Sequence, residues 1–225
     1  SRRDPPFQHA VAVGWFLGSG RVGRSYLFET QGQLFQFPFS SYAATGQWGA
    51  SPGFNHAQRF DLNRAVETAC LQCHSAITAH PTPAAPELNG ISCERCHGAG
   101  EAHVRQPSRA NIVQPARLDP SRRDSVCSQC HLTGVARVAT RRGSEQRFQP
   151  GENLADFLAV FVEDSPPGAA LTVTGHTERL AASKCKQGSG DRLWCATCHD
   201  PHTEPAPAAR AAYYQAKCES CHARK

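Results

Sequence analysis

One five-residue pattern, repeated five times, constrains this chain more than any other feature of its sequence. It occurs as Cys70-Leu-Gln-Cys73-His74, Cys93-Glu-Arg-Cys96-His97, Cys127-Ser-Gln-Cys130-His131, Cys195-Ala-Thr-Cys198-His199 and Cys218-Glu-Ser-Cys221-His222. CxxCH is the attachment signal for c-type haem. The two cysteines each form a thioether to one haem edge, and the histidine that follows lies under the iron as the proximal ligand. Structural zinc and a disulfide framework also use cysteine pairs, but neither needs a histidine directly after every second cysteine. Ten of the eleven cysteines fall in the pattern, leaving Cys185 over. The expected cofactors are therefore five c-type haems, about one per 45 residues. At that density haem must supply much of the core, and the chain wraps a row of haems.

Such a wrapper needs little regular structure of its own. With 18 Gly and 16 Pro in 225 residues, long elements should be few. The expected class is mainly α with extensive loops and a small N-terminal β-hairpin region, organised by haem. Two parts are expected to form one compact unit: residues 1–66 as a β-rich cover segment, and residues 67–225 as the pentahaem region. Tyr26–Thr30 and Gln33–Phe37 read as strands around a Gln31-Gly32 turn, which either cover the first haems or form a plain surface hairpin. Val66–Leu71 reads as a short helix leading into the first motif. Pro81, Pro83 and Pro86 mark an extended linker. Val135–Ala139 alternates like a strand, and Arg141-Arg-Gly143 resembles a turn. Leu154–Val162 is apolar and fits either a strand or a short helix. Thr177–Lys184, with Thr177 as N-cap, and Ala208–Lys217 read as helices, the latter setting Tyr213 or Tyr214 against a haem. Cys70 to Cys93 and Cys195 to Cys218 are equally spaced, which suggests two similar haem pairs with the third haem between them.

The axial ligands follow from supply. The chain contains no methionine, which removes His/Met ligation and makes bis-histidine ligation and low potentials the expectation. Six histidines lie outside the motifs: His56, His80, His103, His176 and His202 are the candidate distal ligands, and His9 is the expected spare or a ligand to a haem in an adjacent subunit. Each also has the ordinary reading of a surface histidine. Cys185 is expected to be a small buried residue, with ligand, intermolecular disulfide and regulatory thiol as alternatives.

The formal charge of +5 omits the cofactors. Five ferric bis-histidine haems with ionised propionates, at about −1 each, bring the oxidised protein to roughly zero. The arginines then read as propionate partners rather than a nucleic-acid footprint. Arg95, Arg105, Arg179 and Arg192 flank motifs or candidate ligands, each with plain solvation as the alternative. No run of 18 or more apolar residues is present, so no membrane-spanning helix is expected. Haem attachment through CxxCH takes place outside the cytoplasmic membrane, which implies a periplasmic or extracellular location. With no leader segment and no methionine, the sequence reads as a processed chain or a fragment.

Gly90-Ile-Ser-Cys-Glu-Arg-Cys-His-Gly-Ala-Gly-Glu-Ala-His103 resembles the CxxCHGxGxxH signature of multihaem cytochromes c with doubled CxxCH motifs. That group includes tetrahaem electron carriers and relatives of the hydroxylamine oxidoreductase and pentahaem nitrite reductase class. Gly18-Ser-Gly20, Arg24-Ser-Tyr-Leu27, Ser51-Pro-Gly53, Asp124–Leu132, Gly175-His176 and Cys198-His-Asp-Pro-His202 are similar to a branch often fused to tetratricopeptide repeats. The resemblance implies distal-ligand roles for His103 and His202. The sequence departs from that branch by stopping three residues after His222, as a fragment, a processed chain or a stand-alone cytochrome would.

Three functions follow as expectations. The first is electron transfer through the haem chain between redox partner proteins, with no catalysis. The second is a subunit of a haem-bearing filament or a larger membrane-associated complex, in which self-association and ligation are coupled. The third is a multihaem oxidoreductase acting on a small nitrogen compound at an open haem. The third is disfavoured because the nitrite reductases replace one proximal histidine with lysine, whereas all five are histidine here.

Overall fold

The computed structural model describes residues 10–54, 61–74, 90–140, 147–162 and 175–222. The chain divides into two compact units: Ser1–Gln114 with Gly143–Pro150, and Pro115–Arg142 with Gly151–Lys225.

The first unit is built on an antiparallel meander, β1 (Val13–Leu17), β2 (Gly23–Thr30), β3 (Gln33–Tyr42) and β4 (Gln47–Ala50), hydrogen-bonded in that order. The expected hairpin is its centre, with Thr30 paired to Gln33. The Gln31-Gly32 turn has both residues at positive φ, 52° and 76°, the backbone of the two-residue turn whose twist matches that of the strands. One sheet face buries Leu27 and Leu34 with Val66 and Leu71, and Trp15 and Leu17 pack against them. Beyond the end of β4's pairing, the chain returns to β3. Gln36 N–H donates to Arg64 O and Val66 N–H to Leu34 O, both at 2.8 Å, and helix α1 (Thr68–His74) follows at once. Leu71, inside the first CxxCH, is thus part of the sheet's own core, and the sheet fixes the first motif in place.

A buried serine chain, Ser25 to Ser40 to Ser51, stitches the strands at 2.8 and 2.7 Å and ends on the Phe37 carbonyl at 2.8 Å. Ser51→Ala leaves the Ser40 hydroxyl and that carbonyl without this partner. It should lower stability by about 1–3 kcal/mol, read as a lower denaturation midpoint.

The mainly α expectation is not met. The described residues hold this four-stranded sheet and a second ribbon, β5 (Ala136–Ala139) with β6 (Leu158–Phe161), antiparallel. The helices are short: α2 (Glu94–His97), α3 (Glu101–Arg105), α4 (Pro120–His131), α5 (His176–Ala182), α6 (Lys184–Ser189), α7 (Cys195–Cys198) and α8 (Arg210–Glu219). The class is mixed α and β. The strands that flank the hairpin, β1 and β4, carry Gly14 and Gly49, and they pair because β2 and β3 give them an edge to pair with.

In the second unit α4 is the organising element. Asp119 caps it by accepting from Arg122 N–H at 3.2 Å, with Pro120 at the first turn, the combination helix starts favour. Its last carbonyls are taken by Arg137, which donates to Gln129 O and Leu132 O at 3.2 Å each. Its buried face is mostly polar: Ser125, Val126, Ser128 and Gln129. Ser125 Oγ accepts from Leu154 N–H at 3.0 Å, seating the turn Leu154–Asp156 on the helix before β6 begins.

Candidate haem sites

In a helical turn, residues three and four apart share a face, so CxxCH on one turn presents both thiols and the imidazole together. The backbone makes that turn in each motif. The first lies in α1 and the third in the last turn of α4. In the second, fourth and fifth, the histidine N–H donates to the carbonyl of the first cysteine, His97 to Cys93 at 2.9 Å, His199 to Cys195 at 3.0 Å and His222 to Cys218 at 2.9 Å. All eleven cysteines are free of disulfides, so the ten motif thiols are available for thioether bonds. Among the described residues no three Cys, His, Asp or Glu side chains gather as a metal ion would need.

The second motif has a built surround. His97 Nδ1 lies 2.7 Å from Val113 O. In the tautomer that donates there, Nε2 is left for a metal, the arrangement ligating histidines adopt. His103, on α3, is treated alike: its Nδ1 is 3.1 Å from Ser108 O and 3.1 Å from Asn111 Oδ1. Asn111 in turn donates to Ala102 O at 3.2 Å and Gln106 O at 2.9 Å. A single loop, residues 106–113, therefore orients two candidate ligands. Glu94 Oε1 accepts from Gly100 N–H at 2.7 Å and closes the glycine turn between them. Arg95, expected to be solvated or paired to a propionate, is buried at 6% exposure. Arg105 instead pairs with Glu101 on the surface.

The third motif meets a candidate distal ligand directly. The His131 and His176 rings lie 5.2 Å apart, centre to centre, at 52°. Partial burial, then the neighbouring His176 and His199, hold His131 below the ordinary histidine range, which favours the neutral, ligating form. Glu178 secures the approach, accepting from Thr133 N–H at 3.0 Å and Gly134 N–H at 2.6 Å. Ser128 and Thr177 hydroxyls add a 3.3 Å contact. The N-cap of α5 is Gly175, not the expected Thr177. A Cβ at Gly175 would stand 2.6 Å from His131 O and 2.7 Å from Thr133 N. Only glycine lets the helix come this close.

The fourth motif lies between the third and the fifth. Cys127 and Cys195 share a thiol hydrogen bond that lowers Cys195 to about 7. Burial, then Cys218, raise the Cys198 thiol. His199 Nδ1 is 3.1 Å from the Tyr214 hydroxyl. His202 is exposed on a turn closed by Asp200, whose carboxylate takes His202 N–H at 2.9 Å. Hydrogen bonds, from the Thr203 hydroxyl first, hold Asp200 below the usual carboxylate range. Cys185 is exposed on α6 rather than buried. The structure thus brings His131 to His176 and gathers the third to fifth motifs. His9, His56 and His80 lie outside the described residues, as does the Arg141–Gly143 turn. The sequence reading missed Glu178, Asn111 and Val113; Glu178 had only its place in the first turn of an expected helix to mark it.

The cytochrome c554 and c-prime family matches residues 42–98, spanning the first two motifs, and the doubled CXXCH motif family matches residues 187–225, spanning the last two. Over those two stretches the chain is similar to multihaem c-type cytochromes. C-type polyheme cytochrome OmcB, from two strains of Geobacter sulfurreducens, is 30% identical over 161 residues, 60% of this chain. The chain spans only about 20% of the length of those relatives. The crystal structure of outer cell wall cytochrome OcwA overlaps 61% of this chain and 30% of its own at 21% identity. Its TM-score of 0.38 is too low to define a common fold. Four of the five CxxCH motifs thus lie in stretches that match families of haem-binding c-type cytochromes. Among the described residues no helix is long and apolar enough to cross a membrane.

Proposed function

We propose that this segment carries five haems as a bis-histidine electron conduit, with no iron open to substrate. Bound haem supplies a one-electron iron couple, and the chain's residues set where it sits and how it is ligated. Cys70, Cys73, Cys93, Cys96, Cys127, Cys130, Cys195, Cys198, Cys218 and Cys221 form the thioethers. His74, His97, His131, His199 and His222 are the proximal ligands. His103, His176 and His202, with His56 and His80, are the distal ones, and His9 is the spare. Residues 1–66 act as the cover of the first haem and residues 67–225 as the haem-bearing region. The chain works outside the cytoplasmic membrane and exchanges electrons with separate donor and acceptor proteins.

The observation that carries this reading is the His131–His176 pair, a motif imidazole already faced by a second one. A haem with both axial positions filled changes oxidation state with little rearrangement and offers no site for a substrate. His103→Ala, His176→Ala and His202→Ala should each open one iron. Each variant should keep its haem count, show one new high-spin signal, and bind carbon monoxide when reduced. Variants as inert to carbon monoxide as the parent would remove these histidines as ligands.

A further inference from the structure

The third, fourth and fifth motifs all belong to the second unit, and the fourth is tied to both of the others. On the α4 side, the Arg123 guanidinium lies over the Trp194 ring at 4.9 Å and donates to Asp191 O at 3.1 Å. Lys186 reaches Asp124 at 3.6 Å and donates to Leu193 O at 2.8 Å. Trp194 directly precedes Cys195, so these contacts clamp the entry of the fourth motif onto the helix that bears the third. On the other side stands α8, which ends in the fifth motif. Tyr214 projects from it onto His199, with ring centres 5.4 Å apart at 62° and the hydroxyl 3.1 Å from Nδ1. Tyr213 packs edge-on against Tyr214 at 5.1 Å, and Lys217 Nζ lies 5.1 Å over the Tyr213 ring.

We infer that Tyr214 is the positioning residue of the proximal histidine His199 that would hold the fourth haem. The inference rests on the haem assignment proposed above. His97 Nδ1 faces a backbone carbonyl, whereas His199 Nδ1 faces a phenol on the neighbouring motif's helix, to which it donates when Nε2 holds iron. Donation from Nδ1 fixes the tautomer, leaves Nε2 for iron and raises the basicity of the ligand. A more basic ligand favours the ferric state and lowers the potential. Because Tyr214 lies four residues before Cys218, this tuning contact also sets the placement of α8, and with it the fifth motif, against the fourth. A side chain that only packed would affect stability but not the potential of one particular iron.

The test is Tyr214→Phe, which keeps the ring against His199 and removes the acceptor. Haem-peptide mass spectrometry first establishes that the wild type and the variant both carry haem at Cys195 and Cys198; an empty fourth motif contradicts the haem assignment itself. With haem present, a spectroscopic redox titration should show one component moved to higher potential and the rest unmoved. The oxidised EPR spectrum should change in one low-spin signal. Tyr214→Leu, which removes the ring as well, should move the same component further. Titrations and EPR spectra of Tyr214→Phe that superimpose on the wild type would overturn the inference, leaving Tyr214 as packing.

Discussion

Gly175→Ala should convert one low-spin haem of this protein to a high-spin form that binds carbon monoxide, with the haem content unchanged. The new methyl would lie against His131 O and Thr133 N, at 2.6 and 2.7 Å, and neither backbone atom can rotate away. The helix α5 must then move back from the end of α4. Glu178 would lose its hold on Thr133 and Gly134, and His176 would leave the neighbourhood of His131. Overpacking of this kind costs about 1–3 kcal/mol, enough to displace a short helix held by a few hydrogen bonds. Absorbance and carbon monoxide difference spectra of the variant read the outcome. Spectra identical to the wild type would mean that His176 does not serve the third haem.

The same chain made without haem attachment should fail to reach a stable fold. Among the described residues only eleven hydrophobic side chains are buried, in short patches such as Leu27, Leu34, Val66 and Leu71. Apolar residues next to motifs face outward instead: Ile91 is 45% exposed, Val104 81% and Val135 70%. Each fully buried side chain of this size contributes about 1.5–3 kcal/mol, and the flat faces of attached haems are what can cover these. Helices of four to twelve residues are too short to persist alone. Limited proteolysis and circular dichroism of chain expressed with and without haem-attachment machinery make the comparison. The haem-free chain should be cut readily and melt without cooperativity. A protease-resistant haem-free chain with a sharp transition would contradict the idea that haem completes the core.

The motifs and their local turns were legible because CxxCH contains its own geometry: spacing of three and four residues is a helical face. The hairpin was legible through Gln31-Gly32, and α8 (Arg210–Glu219) through the Ala208–Lys217 run that leads into a motif. Non-local structure was not. Leu154–Val162 read equally as helix or strand, and what divides it is the Asn153 cap on Ala155 N–H and the pairing of β6 with β5. The N-cap of α5 was misplaced at Thr177 because the reason for Gly175 lies more than forty residues away, at His131. Glu178 was invisible for the same cause. The polar buried face of α4 gave no apolar period to read, so α4 went unrecognised as the organiser of its unit. Strand was underestimated because β1 and β4 pair only along the edges that β2 and β3 supply.

The central claim, a conduit with every iron closed, is tested most directly by EPR of the oxidised holoprotein together with carbon monoxide addition to the reduced form, on material whose haem content has been counted. The expected result is five haems, only low-spin ferric signals, and no carbon monoxide adduct. A high-spin signal matched by carbon monoxide binding in the unmodified protein would contradict the claim and identify an iron with an open position for substrate.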